Sequence, residues 1–190
     1  MDNILVTGFG PFQGHTINAS WEAVKMLPDN VNGCRIIKEE VPVMYDYVER
    51  NIPKLWETLK PVLAIHVGVS SSTSKLTIEK CAHRTGYRRC DFSGKPRRTG
   101  KAVCVGEECI YTGIEVDEIC SILNRSERMK ACPSTNAGRY LCEFIFYTSL
   151  NIDSGRTLFV HVPPLGEPYS AEELAEGLMD IIKAALRQIL

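Results

Sequence analysis

A thiol, an imidazole and a carboxylate in three separate stretches of this sequence have the properties that nucleophilic amide chemistry requires. Cys142 ends the stretch Ser134-Thr135-Asn136-Ala137-Gly138-Arg139-Tyr140-Leu141-Cys142. Ala131-Cys132-Pro133 can end a strand, and Ala137-Gly138 has the backbone freedom to turn into a helix. A helix starting close to Cys142 would aim unpaired N–H groups and the positive end of its dipole at the sulfur, which favours a thiolate. The same N–H groups can hold the oxyanion of a tetrahedral intermediate. His161 follows the apolar run Leu158-Phe159-Val160, so a strand would hold it rigidly as a neutral-pH base. Glu79, closing Leu76-Thr77-Ile78-Glu79, is the carboxylate best placed to orient that imidazole. Each residue also has a quieter reading: a thiol packed in the core, a strand histidine serving as a structural hydrogen-bonder, a solvated glutamate. Spacing alone does not choose between them.

The elements that must position these residues alternate between strand and helix patterns. Ile4-Leu5-Val6-Thr7, ended by Gly8, reads as a buried strand, and Asn18 can cap a helix over Ala19 to Leu27 that Pro28 stops. Cys34 to Val41 reads as a second strand. Val48, Ile52, Leu55 and Leu59 fall at helical spacing from Asp46 onward, with Pro53 either kinking that helix or marking where its regular part begins. Val62-Leu63-Ala64-Ile65-His66-Val67-Gly68 is apolar along nearly its whole length, as the centre of a parallel sheet would be. In Leu76-Thr77-Ile78-Glu79 alternation places Thr77 and Glu79 on the face opposite Leu76 and Ile78. From His83 to Gly113 an irregular, Gly-, Arg- and Lys-rich stretch suits either a binding loop or a solvated insertion. Further helices are expected around Val116, Ile119, Cys120 and Leu123, after Gly138 through Phe144, Ile145 and Leu150, and from the Ser170/Glu173 capping box to the C-terminus. Thr157 to Val162 is a strand ending at Pro163-Pro164. The alternation predicts an α/β fold, a three-layer α/β/α sandwich with a mainly parallel central sheet, as one catalytic domain over residues 1–190. Ligands of such sheets bind beyond the carboxyl ends of strands, near which all three reactive residues are expected.

Composition narrows the function classes. A net charge of -1 gives no electrostatic case for nucleic acid or an anionic membrane as partner. No apolar run approaches the roughly 20 residues a bilayer requires, and the N-terminus lacks a basic n-region, so a cytoplasmic protein is expected. The eight cysteines lie in a chain large enough for a sizeable core, which argues for reduced thiols rather than a disulfide framework. For a metal the nearest candidates are Cys104-Val105-Gly106-Glu107-Glu108-Cys109 and Cys81-Ala82-His83, and neither has a matching second pair at short spacing. No metal site is expected. Composition does not decide between a monomer and a homo-oligomer.

Five motifs in order resemble one family, the pyroglutamyl-peptidase I cysteine peptidases, and its animal members most. They are Thr7-Gly8-Phe9-Gly10-Pro11-Phe12 with Asn18-Ala19-Ser20-Trp21, His66-Val67-Gly68-Val69-Ser70, Leu76-Thr77-Ile78-Glu79-Lys80-Cys81, Ala137 to Cys142, and Phe159-Val160-His161-Val162-Pro163-Pro164-Leu165-Gly166. The resemblance covers nearly the whole chain. It implies a Cys-His-Glu triad at Cys142, His161 and Glu79, an α/β/α sandwich, neither metal nor organic cofactor, and pyroglutamyl peptides as substrates. It also implies a substrate pocket walled by Phe9 and Phe12, with Asn18 pinning that loop beside its helix-capping role. The chain departs from the pattern at Asn136, where animal members usually carry Asp, at the hydroxyl-rich Ser71-Ser72-Thr73-Ser74, and over Tyr87 to Gly113. These departures motivate an alternative, an inactive relative that binds capped peptides without cleaving them. Arg88 and Arg89 are candidates for a second oxyanion donor, set against ordinary surface charge.

Overall fold

Alternation of apolar side chains along the strands divides the interior into two cores, one on each side of a sheet. The computed structural model describes residues 1–14 and 16–190. Strands β1 (Asn3–Phe9), β2 (Asn30–Val31), β3 (Cys34–Val41), β4 (Leu63–Val69), β5 (Leu76–Glu79), β6 (Cys81–His83), β7 (Cys109–Tyr111), β8 (Ala131–Ser134) and β9 (Thr157–Val162) alternate with helices α1 (Ala19–Lys25), α2 (Tyr45–Leu59), α3 (Val116–Arg125), α4 (Leu141–Leu150) and α5 (Ala171–Ile189). A seven-stranded sheet runs in the order β2-β3-β1-β4-β9-β5-β8, and β6 and β7 form a separate ribbon. Strands β3, β1, β4 and β9 are mutually parallel. Strand β5 runs antiparallel to β9 and carries β8 parallel to itself, while β2 is antiparallel to β3. The sheet is therefore mainly parallel with helices on both faces, the expected three-layer sandwich.

Even-odd position decides which core a residue joins. Ile4, Val6, Ile65, Val67, Leu76, Ile78, Leu158 and Val160 face one way and pack against α1, α3 and α5. Leu5, Phe9, Ala64 and Phe159 face the other way, toward α2 and α4. Thr7, His66, Gly68, Thr77, Glu79 and His161 share the second face by the same alternation. A buried chain of polar contacts crosses this layer. Thr7 Oγ1 lies 2.8 Å from His66 Nδ1, His66 Nε2 lies 2.7 Å from Ser149 Oγ on α4, and Trp56 Nε1 of α2 donates to that same oxygen at 2.9 Å. Complete burial pushes the His66 imidazole down to about 3, so it is a neutral crosslink.

Helix α4 is buried on nearly every side: Leu141, Phe144, Ile145, Phe146, Tyr147 and Leu150 pack in the core together with the polar Glu143 and Ser149. Helix α2 begins at Tyr45 and continues through Pro53 to a left-handed Lys60 (φ 46°), so Pro53 lies within the helix and does not set its start. The expected capping box is present, Ser170 Oγ accepting from Glu173 N and Glu173 Oε2 from Ser170 N. The stretch expected to be irregular from His83 to Gly113 contains one unforeseen strand, β7, and is tied to the second face. Asp91, buried, accepts from the N–H groups of Tyr45, Ser93 and Lys95. Arg97 forms a two-pronged pair with Glu49 at 2.9 and 2.7 Å. Tyr45 and Tyr140 hydroxyls donate to the carbonyls of Arg89 and Cys90.

Candidate active site

Cys142 is the second residue of α4, following the N-cap Tyr140 and Leu141. At that position its N–H has no carbonyl one turn back within the helix, and the helix dipole favours negative charge on the sulfur. The sulfur comes to rest over Gly68. A methyl group built at Gly68 would stand 2.5 Å from Cys142 Sγ and 2.8 Å from Phe159 Cζ, so only glycine leaves room. Gly68 is the register partner of His161 on the adjacent parallel strand. The thiol therefore sits over the strand next to the imidazole.

His161 Nδ1 lies 2.8 Å from Glu79 Oε1. Glu79 is 1% exposed and His161 8%, so neither is a solvated surface group. Burial by itself would lower the His161 pKa, but charge and hydrogen bonding from Cys142 and then from Glu79 outweigh it and raise it to about 10. The protonated ring is thus favoured at its place between Cys142 and Glu79. Because Nδ1 faces Glu79, Nε2 is the nitrogen left for proton traffic.

The strand-end expectation needs one correction. His161 and Cys142 lie where the parallel strands end, but Glu79 does not reach them by closing a strand in the same direction. Strand β5 is antiparallel to β9, Glu79 is opposite Phe159, and Thr77 is opposite His161. Glu79 reaches His161 diagonally on the shared face, a separation long side chains span.

A cleft of about 1030 Å³ opens at this point, lined by Cys142, His161 and Glu79 and by Phe9, Phe12 and Asn18. Phe9 is also a member of the second core, so its packing and cleft-lining roles coincide. Asn18 does both things expected of it. Its Oδ1 accepts from Ser20 N (3.1 Å) at the start of α1, and its Nδ2 donates to Gly10 O (3.1 Å), tying down the Phe9–Phe12 loop. Gly8 lets α1 close on β1, since a Cβ there would lie 2.7 Å from Trp21 Cα. Ser71, Ser72 and Thr73 of the hydroxyl-rich stretch line the cleft. Arg89 lines it too, its guanidinium 4.1 Å above the Tyr140 ring, whereas Arg88 is exposed and does not.

Asn136 builds the turn before α4. Its Oδ1 accepts from Gly138 N at 3.1 Å, which a carboxylate oxygen would also do. Gly138 (φ 101°) and Arg139 (φ 53°) then pass through the left-handed region. Holding a non-glycine residue there costs on the order of 1 kcal/mol or more. Glu143, unforeseen as a site residue and fully buried beside Cys142, offsets that cost. Its Oε2 accepts from Arg139 N at 2.6 Å, and its Oε1 accepts from Arg139 Nη1 at 2.8 Å and His83 N at 2.9 Å. Glu143 Oε1 also lies 2.8 Å from His83 Nδ1. The only sequence signal for Glu143 was an acidic residue in a helix first turn, where it is electrostatically welcome but usually solvated.

A thiol at a helix start, an imidazole beside it and a buried carboxylate behind the imidazole can carry out acyl transfer through a thioester. Residues 2–179 match the family model described as pyroglutamyl peptidase. The chain is 44% identical to human pyroglutamyl-peptidase 1, over 96% of this chain and 89% of that one. It is 30% identical to the pyrrolidone-carboxylate peptidase of Thermosipho melanesiensis, over 97% and 98% of the two chains. Among solved structures, pyroglutamyl peptidase I of Bacillus amyloliquefaciens superposes with a TM-score of 0.86 at 25% identity, covering 98% of each chain. On sequence, fold and site geometry together, this chain belongs to the pyroglutamyl peptidase family.

Proposed function

We infer that this chain is a cysteine peptidase that hydrolyses the amide bond after an N-terminal pyroglutamyl residue, with Cys142, His161 and Glu79 as its catalytic residues. The observation that carries the reading is the Glu79–His161 pair beside Cys142 in a cleft walled by Phe9 and Phe12. With the thiol proton already carried by the His161 ring at Nε2, the sulfur attacks the exocyclic carbonyl of the pyroglutamyl residue. The Cys142 N–H holds the oxyanion. Gly138 N–H and Arg139 N–H are already engaged by Asn136 and Glu143, which leaves Tyr140 and Leu141 as further donors in the turn. Collapse of the intermediate expels the amine with the proton from His161. Water, deprotonated by His161, then attacks the thioester, releasing pyroglutamate and restoring the thiol. Glu79 keeps Nδ1 protonated and stabilises the imidazolium throughout.

Phe9 and Phe12 enclose the flat, uncharged lactam, and Asn18 holds their loop in place. A free α-ammonium group in the same slot loses hydration worth several kcal/mol without a compensating partner, so unblocked peptides are rejected. The departure at Asn136 does not favour an inactive binder, since its amide oxygen makes the turn bond. The reading takes residues 1–190 as one catalytic domain, supported by a single main sheet with a core on each face. We place the enzyme in a reducing compartment, the cytoplasm, in keeping with eight free thiols and a nucleophile that must stay reduced. Among the described residues no helix is long and apolar enough to cross a membrane.

Release of aminomethylcoumarin from its pyroglutamyl amide measures the activity. Cys142→Ala should lower kcat by at least about 10³-fold. Activity unchanged in that variant contradicts the assignment.

A further inference from the structure

The β6–β7 ribbon carries a cluster of thiol and imidazole groups that are not among the residues lining the cleft. The β6–β7 ribbon is short and antiparallel, with Cys81 opposite Tyr111 and His83 opposite Cys109. Residues two apart on one strand share a face, and so do direct cross-strand partners. Cys81, His83 and Cys109 consequently project together, and one donor atom from each lies within 4.8 Å of the others. Neither Cys81-Ala82-His83 nor the segment ending at Cys109 has a second ligand pair nearby in sequence. Hairpin pairing unites them across 25 intervening residues, 84–108.

We propose that Cys81, His83 and Cys109 form a site for a thiophilic divalent metal ion of the zinc class, with a fourth position open to solvent. Two thiolates and one imidazole are a donor set suited to zinc, and an open position beside three protein ligands is a common arrangement for it. Donors sharing one zinc ion stand up to about 4 Å apart, so the three side chains close in on the ion by rotating about their side-chain bonds. His83 is already held as a ligand would be. Its Nδ1 lies 2.8 Å from Glu143 Oε1, and Glu143 is fully buried, so Nδ1 carries the proton and the lone pair falls on Nε2. A carboxylate behind a histidine in this way fixes its tautomer and strengthens it as a ligand. Cys81 is buried and now donates weakly to Thr135 O at 3.6 Å, while Cys109 is partly exposed and gives the ion its route in. Each thiol releases one proton to solvent as its sulfur binds, so one divalent ion replaces two protons. The ion would join β6 to β7 and, through His83 and Glu143, brace the first turn of α4.

The test uses the full chain carrying Cys142→Ser, which removes the nucleophile as a competing thiol, titrated with cobalt(II) under a non-thiol reductant. One cobalt ion per chain with thiolate-to-cobalt charge-transfer absorption is expected. Adding Cys109→Ser should weaken binding by more than about 100-fold, beyond the loss typical of an outer-shell change, with circular dichroism confirming the fold. Cys104→Ser, at an exposed position, should leave binding unchanged. Absence of charge transfer, equal affinity in the Cys109→Ser variant, or loss of binding through Cys104→Ser overturns the site. None of these outcomes bears on the peptidase reading, which is measured separately with Cys142 intact.

Discussion

At Gly68 a single hydrogen in place of a methyl group makes the space in which the Cys142 sulfur sits beside His161. Gly68→Ala would press a carbon to 2.5 Å from the sulfur and 2.8 Å from the Phe159 ring. Strain of about 1–3 kcal/mol is expected in chemical denaturation. A displacement of the nucleophile of order 1 Å would lower kcat about 10²-fold, with a smaller change in KM. Unchanged kcat and stability would contradict the packing described. That Cys142, His161 and Glu79 would lie close together was legible in the sequence from the family resemblance together with strand alternation and the glycine-bearing turn that announces the start of α4. The need for glycine at position 68 was not legible, since it arises from a helix start and a neighbouring strand meeting there. Glu143 was hidden for a related reason: nothing local distinguishes a buried first-turn glutamate from a solvated one.

At the scale of elements, α4 depends on how its N-terminal turn is held. Asn136 forms one half of that turn, and Glu143 clamps the other, where Arg139 adopts its unfavourable backbone conformation. In Glu143→Gln one acceptor oxygen becomes a donor facing Arg139 and His83. Stability should fall by about 1–3 kcal/mol, as when a buried polar group loses its hydrogen-bond partner. kcat should fall with it as the Cys142 N–H loses its fixed direction, while Glu22→Gln, on the partly exposed flank of α1, should alter neither. Equal kcat in the Glu143→Gln variant would show that the turn stands without the clamp. Strand and helix positions followed closely from apolar periodicity. The direction of β5 did not, because Leu76-Thr77-Ile78-Glu79 reads the same whichever way it pairs, and the neighbour that decides lies 82 residues from Glu79 at His161. Strand β7 escaped notice because three residues of mixed burial carry too little pattern.

The whole molecule should show both histidines in its pH-dependent stability. His66 stays neutral in the fold down to about 3, whereas the unfolded ring takes a proton below about 6.5. Its contribution is present above pH 6.5 and is lost as the pH falls toward 3, at about 1.4 kcal/mol per pH unit. His161 keeps its proton in the fold up to about 10, so its contribution is complete below pH 6.5 and is lost as the pH rises toward 10. Urea unfolding across this range should show the acid limb flatten in His66→Gln and the alkaline limb flatten in Cys142→Ser. Unchanged limbs in those variants would contradict the charge states assigned. The same molecule offers a competition among eight free thiols, of which Cys90 and Cys104 are exposed and Cys142 is only partly so. Accessibility alone would direct limiting iodoacetamide to the two exposed thiols, whereas activation by His161 and the helix start directs it to Cys142. Peptide mapping of the products is the most direct test of the assigned nucleophile. Cys142 should be labelled first, be protected by a pyroglutamyl ligand, and lose this preference in His161→Ala; first labelling at Cys90 or Cys104 with peptidase activity retained would overturn the assignment.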